Sequence, residues 1–455
     1  MILKQYYLGC LSHASYLVGD EASGAAVIVD PQRDVDQYVR DAAALGLTIT
    51  DVVLTHYHAD FVAGHLELKD RTGASISLGP GAAAEYPHQE RHEGDAIVHG
   101  NTRLEVLETP GHTPEGISLV AYDLGKDPAK PQAVLTGDTL FVGDVGRPDL
   151  MASSGHSAEA LAGNLYDSLH GKLLALPDDT LVYPAHGPGS LCGSGGSTDR
   201  VSSIGRERRE NPALQDTSKE AFVARVTADL PEVPPYFARD AALNKVERST
   251  LGGPPAPLST EAVVLLQNQG AQVLDVRNPD DFAAGHLQGS LNVGIDGRFA
   301  QWAATVLDAT RPVVLVTPPG REAEAAMRLG RVGIDNVAGF LQDAIPAHLT
   351  ERVPRATAQE VADALQSDAP PALLDVRSKR EFDGGHIQGA VNIPLTSLKE
   401  RLAEVPAGPV VVYCQSGYRS SIATSLLRKS CRPCYTDMIG GIAAWEAAGL
   451  PISHP

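Results

Sequence analysis

Cationic side chains are scarce in this 455-residue chain: 37 Lys and Arg stand against 56 Asp and Glu, a formal net charge of −19. Such a chain repels phosphate backbones and anionic lipid headgroups, which excludes nucleic acid and membrane surfaces as partners. Long apolar runs are missing too. The opening MILKQYYLGCLSHASYLVGD alternates as a strand does and lacks a basic start followed by an apolar stretch. That pattern excludes a signal peptide or a membrane span there, so the expected location is cytoplasmic. Cysteine is sparse as well. Cys10, Cys192, Cys414, Cys431 and Cys434 are too few for a disulfide framework in so long a chain, and in a reducing compartment they are thiols.

At about 100–200 residues per domain the length calls for three domains. Residues 1–250 alternate short apolar runs (AAVIVD, DVVLTH, RLEVLETP, AVLTGD, TLVYPAH) with helix-like stretches, and several runs end in His or Asp. The Pro- and Gly-rich LGGPPAPLST (251–260) reads as a linker. Beyond it the chain repeats itself: VLDVRNPDDFAAGHLQGSLNV (273–293) aligns with LLDVRSKREFDGGHIQGAVNI (373–393), and PVVLVTPPGRE (312–322) with PVVVYCQSGYR (409–419). A duplicated βα module with a mostly parallel sheet follows, with copies at 258–352 and 355–455 joined by VPRAT (353–357).

The copies differ at one loop. In VVVYCQSGYRSS a β-rich run delivers Cys414 into a short loop that holds Gly417 and Arg419 and runs into a helix start. Backbone N–H groups and the positive end of the helix dipole then converge on the sulfur and stabilise a thiolate or a bound anion. Gly417 allows the tight turn and Arg419 adds fixed positive charge. A lone Cys is more often an inert core residue, but the Gly, the Arg and the helix start argue for a nucleophile. In the preceding copy Thr317 and Glu322 take the places of Cys414 and Arg419, so nucleophile and cation are both lost. Asp375, Arg377 and His386 recur as Asp275, Arg277 and His286 beside that dead loop, which marks them as scaffold. Cys431 and Cys434 form a C-x-x-C pair without a thioredoxin-like context and read as structural thiols. Cys10 is left unassigned.

The loop CQSGYRS, the upstream LLDVRSKREFDGGHIQGAVNIP and the downstream GGIAAWEAAGLPI resemble the rhodanese sulfurtransferases. The resemblance implies that Cys414 carries a sulfane sulfur as a persulfide, and that residues 258–352 are an inactive copy serving as spacer, docking surface or dimer contact.

In the first domain HYHAD presents His56, His58 and Asp60, TPGHT presents His112, TGDTL presents Asp138, and YPAHG presents His186. Imidazoles and a carboxylate gathered from successive strand ends suit a transition metal with open positions. The pattern resembles the metallo-β-lactamase superfamily and its H-x-H-x-D-H signature, except that Phe61 stands where a ligand of the second metal is expected. Within the superfamily it is most similar to persulfide dioxygenases. That resemblance implies one Fe(II) per chain on His56, His112 and Asp138, with His58, Asp60 and His186 orienting the ligands. It also implies that Arg147 in FVGDVGRPDL holds a substrate carboxylate, and that Cys192 in the glycine-rich loop after His186 swings toward the metal.

The expected fold is thus α/β, an αββα metallo-β-lactamase sandwich followed by two rhodanese-like domains. The expected function is sulfide detoxification. A low-molecular-weight thiol persulfide is oxidised by O2 to sulfite and thiol, and Cys414 exchanges sulfane sulfur among sulfite, thiosulfate and persulfides. The rivals are a zinc thioester hydrolase of the glyoxalase II type and a thiol-binding sensor with two dead sites. The sequence leaves open which thiol carries the persulfide, the direction of transfer, and whether the chain forms a homo-oligomer.

Overall fold

The computed structural model describes the whole chain save residues 152–154, 194–196, 217, 229, 430–434 and 455. Cys431 and Cys434 therefore lie outside the described residues. Two compact units are present: Met1–Leu251 with Gly330–Gly333, and Gly252–Leu329 with Ile334–Pro455.

The first unit is built on two six-stranded sheets of mixed direction. Strands His13–Asp20 and Ala25–Val29 pair antiparallel, and Ala25–Val29 runs parallel to Thr48–Val53. In the second sheet Pro131–Gly137 lies parallel to Leu181–Pro184 and antiparallel to Ile117–Asp123. The apolar runs are continuous because both faces of each sheet are covered. Side chains alternate along a strand. Tyr16, Val18, Val27 and Val29 thus meet Leu119, Ala121, Ala133 and Leu135 between the sheets, while Leu17, Ala26 and Ile28 face Tyr38, Ala42 and Leu68 of the outer helices. On the other outer face Val120 and Val134 pack under Leu165, Leu169 and Phe222. The layering is helix, sheet, sheet, helix, as expected.

The second unit contains two five-stranded sheets with every pairing parallel. Each repeat supplies one. The proposed linkers are not linkers to their ends. Pro257–Leu258 and Arg355–Ala356 each add an edge strand to the sheet that follows, pairing with Phe340–Leu341 and Asp437–Met438. Their backbones hydrogen-bond to a sheet edge, a role that a Pro-rich composition does not announce. Among the described residues no helix is long and apolar enough to cross a membrane.

Candidate metal centre and sulfur-transfer loop

Parallel and mixed α/β sheets place chemistry where strands end, because the loops there are free of the ladder yet held by it. His56, His58 and Asp60 follow the strand Thr48–Val53, His112 follows Thr102–Glu108, Asp138 follows Pro131–Gly137 and His186 follows Leu181–Pro184. All six are buried. Gly137, at φ +54°, makes the turn into Asp138, and a Cβ there would fall 2.7 Å from Thr55 Oγ1.

Ligand atoms of His56, His112 and Asp138 all lie within 4.8 Å of one another, with Asp138 Oδ2 at 3.7 Å from His56 Nε2 and 3.6 Å from His112 Nε2. Hydrogen bonds behind the rings fix their tautomers. His112 Nδ1 donates to the Arg147 carbonyl at 2.8 Å, which can only accept. Thr55 Oγ1 donates to Asp30 Oδ2 at 2.8 Å, so its lone pair takes the proton of His56 Nδ1 at 3.0 Å. Both Nε2 atoms therefore present lone pairs to the centre, and that of His56 is buried without a hydrogen-bond partner among the described residues. Two neutral imidazoles and a carboxylate on one face form a donor set that fits a single iron or zinc ion. Burial and His58 push His56 well below the usual imidazole range, and burial lowers His112, so both stay neutral. Burial would raise Asp138, but the His186 imidazolium beside it holds it well below the usual carboxylate range.

His58, Asp60 and His186 form a second cluster within the same 4.8 Å limit. His186 Nδ1 sits 2.8 Å from Asp138 Oδ1 and Nε2 sits 3.0 Å from Asp60 Oδ2. Burial works against its charge, yet Asp138 and Asp60 raise it well above the usual imidazole range. Phe61 packs its ring 4.4 Å from that of His58. Cys192, buried at 1 % exposure, groups with Asp138 and His186. Burial, then Asp60 and Asp138, push its thiol up. The Arg147 guanidinium is taken by Asp149 at 2.7 Å and by the carbonyls of Leu191 and Pro231.

Sequence reasoning missed three residues here. His13 lies between His58 and His186, 5.6 Å from each ring and 4.1 Å from Phe61, with neither ring nitrogen hydrogen-bonded among the described residues. Asp30 holds the Thr55–His56 pair and sits 3.0 Å from His58 Nε2, in a left-handed conformation (φ +50°) uncommon for a non-glycine residue. The Tyr236 hydroxyl is buried with no hydrogen-bond partner among the described residues, and burial, then Asp60, push it up. The one signal in the sequence is that Asp30 ends the apolar run AAVIVD, and it is weak.

In the last repeat the buried strand Val410–Tyr413 ends at Cys414, and the helix Tyr418–Lys429 starts four residues on. Gly417 N donates to Cys414 Sγ at 3.2 Å, and Ser420 Oγ lies 3.7 Å from the sulfur. Gly441, at φ +59°, lets the next loop press against this one: a Cβ there would fall 2.3 Å from the Cys414 carbonyl oxygen. Arg419 forks onto Glu381 at 2.6 and 2.8 Å. Although burial opposes it, that guanidinium holds Glu381 at about 2. Arg377 forks onto Asp375, and His386 stacks on Phe382 at 3.8 Å. Arg277, Asp275, His286 and Phe282 repeat these contacts in the other copy.

The cysteine-free loop is filled from within. Glu322 Oε1 accepts from Gly320 N at 3.0 Å and from Thr317 Oγ1 at 3.2 Å, so a carboxylate sits where the other copy holds sulfur. The same copy touches the cysteine helix. Tyr418 Oη donates to the Gly294 carbonyl, Ser421 Oγ donates to Asn292 Oδ1 at 2.7 Å, and a Cβ on Gly297 would fall 2.4 Å from the Tyr418 ring.

Two sheets between helices, with imidazole and carboxylate ligands at their strand ends, define a metal-dependent enzyme unit, and the repeats behind it define a cysteine-loop module. Residues 8–186 match the metallo-beta-lactamase superfamily, and residues 259–346 and 357–448 each match the rhodanese-like domain. The chain belongs to the metallo-beta-lactamase superfamily and carries two rhodanese-like domains after that domain. The persulfide dioxygenase ETHE1 of Bos taurus is 32% identical over 238 residues, 51% of this chain and 83% of that protein. A hydroxyacylglutathione hydrolase of Rhodospirillum rubrum is as close, 33% identical over 236 residues, 51% of this chain and 82% of that protein. A solved metallo-beta-lactamase from Staphylococcus aureus subsp. aureus COL covers 75% of this chain and 98% of its own, with 31% identity and a TM-score of 0.67.

Proposed function

We propose that the first domain is a persulfide dioxygenase with one Fe(II) on His56, His112 and Asp138, and that Cys414 is the sulfur carrier of a rhodanese. In the first reaction RSSH + O2 + H2O gives RSH + sulfite + 2 H⁺. In the second, sulfite takes the outer sulfur of a Cys414 persulfide, leaving thiosulfate and the Cys414 thiolate, or the reverse. Domain limits at 1–250, 258–352 and 355–455 go with this reading.

The observation that carries it is a complete inward-facing trio beside a Phe61 that cannot bind a metal, on a chain that also holds a cysteine loop built to cradle a sulfur anion. A ferrous ion with three protein ligands keeps open positions for a persulfide sulfur and O2. The protein's own residues do the rest. His186, charged between Asp60 and Asp138, fixes the carboxylate's orientation, and the Asp30–Thr55 pair fixes His56. Arg147 serves His112 through its carbonyl, and its guanidinium receives a substrate carboxylate only if the Asp149 pair opens. Cys192 borders the same space and lines the thiol end of the site.

The zinc thioester hydrolase reading has two points in its favour, the equal similarity to the hydroxyacylglutathione hydrolase and the second cluster of His58, Asp60 and His186. Metal analysis of anaerobically purified protein, with O2 uptake on adding glutathione persulfide, separates the two. We expect one iron per chain and O2 consumption. Two zinc ions, thioester hydrolysis and no O2 uptake would overturn the dioxygenase.

A further inference from the structure

Behind the reactive sulfur lies a buried carboxylate that the sulfur-transfer step does not use. Asp437 sits on the strand Tyr435–Met438, opposite Val412 of the cysteine strand on one side and Arg355 on the other, and is 1 % exposed. Its Oδ2 accepts from Arg355 Nε at 2.9 Å, and its Oδ1 accepts from Ser420 Oγ at 2.5 Å. Ser420, fully buried in the first turn of the cysteine helix, lies 3.7 Å from Cys414 Sγ and 3.2 Å from the Gly417 carbonyl. The hydroxyl has one hydrogen and cannot serve both the carboxylate and the sulfur.

We propose that Asp437 is a positioning residue for Cys414: through the single hydrogen of Ser420 it sets whether the sulfur meets an acceptor or a donor, and so couples the ionisation of the thiol to its own. With Asp437 ionised, the Ser420 hydrogen points to the carboxylate, and a lone pair faces Cys414, which suits the thiol. With a proton on Asp437, that proton goes to Ser420 Oγ and frees the hydroxyl hydrogen for the sulfur, which suits the thiolate. Passing between the states breaks the Sγ–H bond as a Ser420 O–H bond forms, and breaks the old Ser420 O–H bond as an Asp437 O–H bond forms. The charge moves from carboxylate to sulfur and nothing leaves the pair.

The surroundings allow both states. Burial, the largest influence, pushes Asp437 up to about 6 despite Ser420 and Arg355, and Asp280 adds to the rise. Near the sulfur, Arg419 is paired with Glu381 and Arg377 with Asp375. The device bears on turnover. In a persulfide the charge rests on the outer sulfur, about 2 Å farther out along the S–S bond. An ionised Asp437 thus opposes the bare thiolate more than the loaded cysteine, and favours loading.

The inference rests on Cys414 as the sulfur carrier, but the test reads the thiol itself whatever its donor. Carbamidomethylation of Cys414 by iodoacetamide is followed against pH in the full chain, by mass spectrometry of the Cys414 peptide. The variants are Asp437→Asn, Ser420→Ala and the double variant. The Asn amide donates to Ser420 Oγ as a protonated Asp437 would, so the alkylation midpoint should fall by about one pH unit. In the Ser420→Ala background the same substitution should move it by less than about half as much. An unchanged midpoint in Asp437→Asn overturns the proposal, and so does an equal shift with and without Ser420, which would leave only charge acting through space. Should the asparagine variant fail to fold, Asp437→Ser supplies the same kind of donor and carries the same expectation.

Discussion

Asp138 bears on three imidazoles at once, within hydrogen-bonding distance of His186 and within 3.7 Å of the inward nitrogens of His56 and His112. Asp138→Ala should therefore cut O2 uptake by more than about 100-fold and lower bound metal, since removing even an orienting partner of a ligand costs about 10–100-fold. Sulfur transfer from thiosulfate should persist, because Cys414 belongs to the other compact unit. Loss of both activities in a folded variant would argue for one composite site. At this scale the sequence was most legible where chemistry-bearing residues end apolar runs, as His56, His112, Asp138 and Cys414 do. His13 and Asp437 were not legible, and Asp30, though it ends the run AAVIVD, carried no motif that tied it to the ligands. His13 meets the site by bridging His186 across the sheet edge, Asp30 through Thr55 and Asp437 through Ser420, contacts between residues far apart in the chain.

The cysteine loop is held by its neighbours as well as by its own turn. Gly441→Ala would drive a Cβ into the Cys414 carbonyl, and should cost about 2–4 kcal/mol in a urea melt while abolishing sulfur transfer. A variant with parental stability and activity would show that the two loops can part. Tyr418→Phe tests the other support. It removes only the hydroxyl that binds the Gly294 carbonyl, worth about 1 kcal/mol, and should lower kcat for sulfur transfer while leaving O2 uptake unchanged. Equal kcat in parent and variant would reduce the contact to packing. The repeat itself was plain in the sequence, since DVR, GH and the strand–loop–helix order recur. The edge strands Pro257–Leu258 and Arg355–Ala356 were not, because a two-residue strand has no period to read and their prolines signal loop.

For the molecule as a whole, the question is what leaves it. If sulfite made in the first domain meets a persulfide on Cys414, then Cys414→Ser should still consume O2 but accumulate sulfite where the parent makes thiosulfate, since a serine hydroxyl cannot carry the sulfur. Undiminished thiosulfate in the variant would refute forward coupling. The layering of the first unit was expected from the family resemblance and the parallel sheets of the second from the repeat's βα order, whereas the choice of ligand tautomers and of which groups pair behind them came only with three-dimensional packing. With Glu322 hydrogen-bonded to Gly320 N and Thr317 Oγ1, the vacated cradle carries its own permanent anion. Thr317→Cys alone would set a thiol beside that carboxylate and should gain no sulfur transfer. Only together with Glu322→Arg should activity appear, measurable in a Cys414→Ser background, and each change alone should stay silent. The carboxylate fills the anion's place as the sulfur does in the other copy, so a working loop there needs both changes at once.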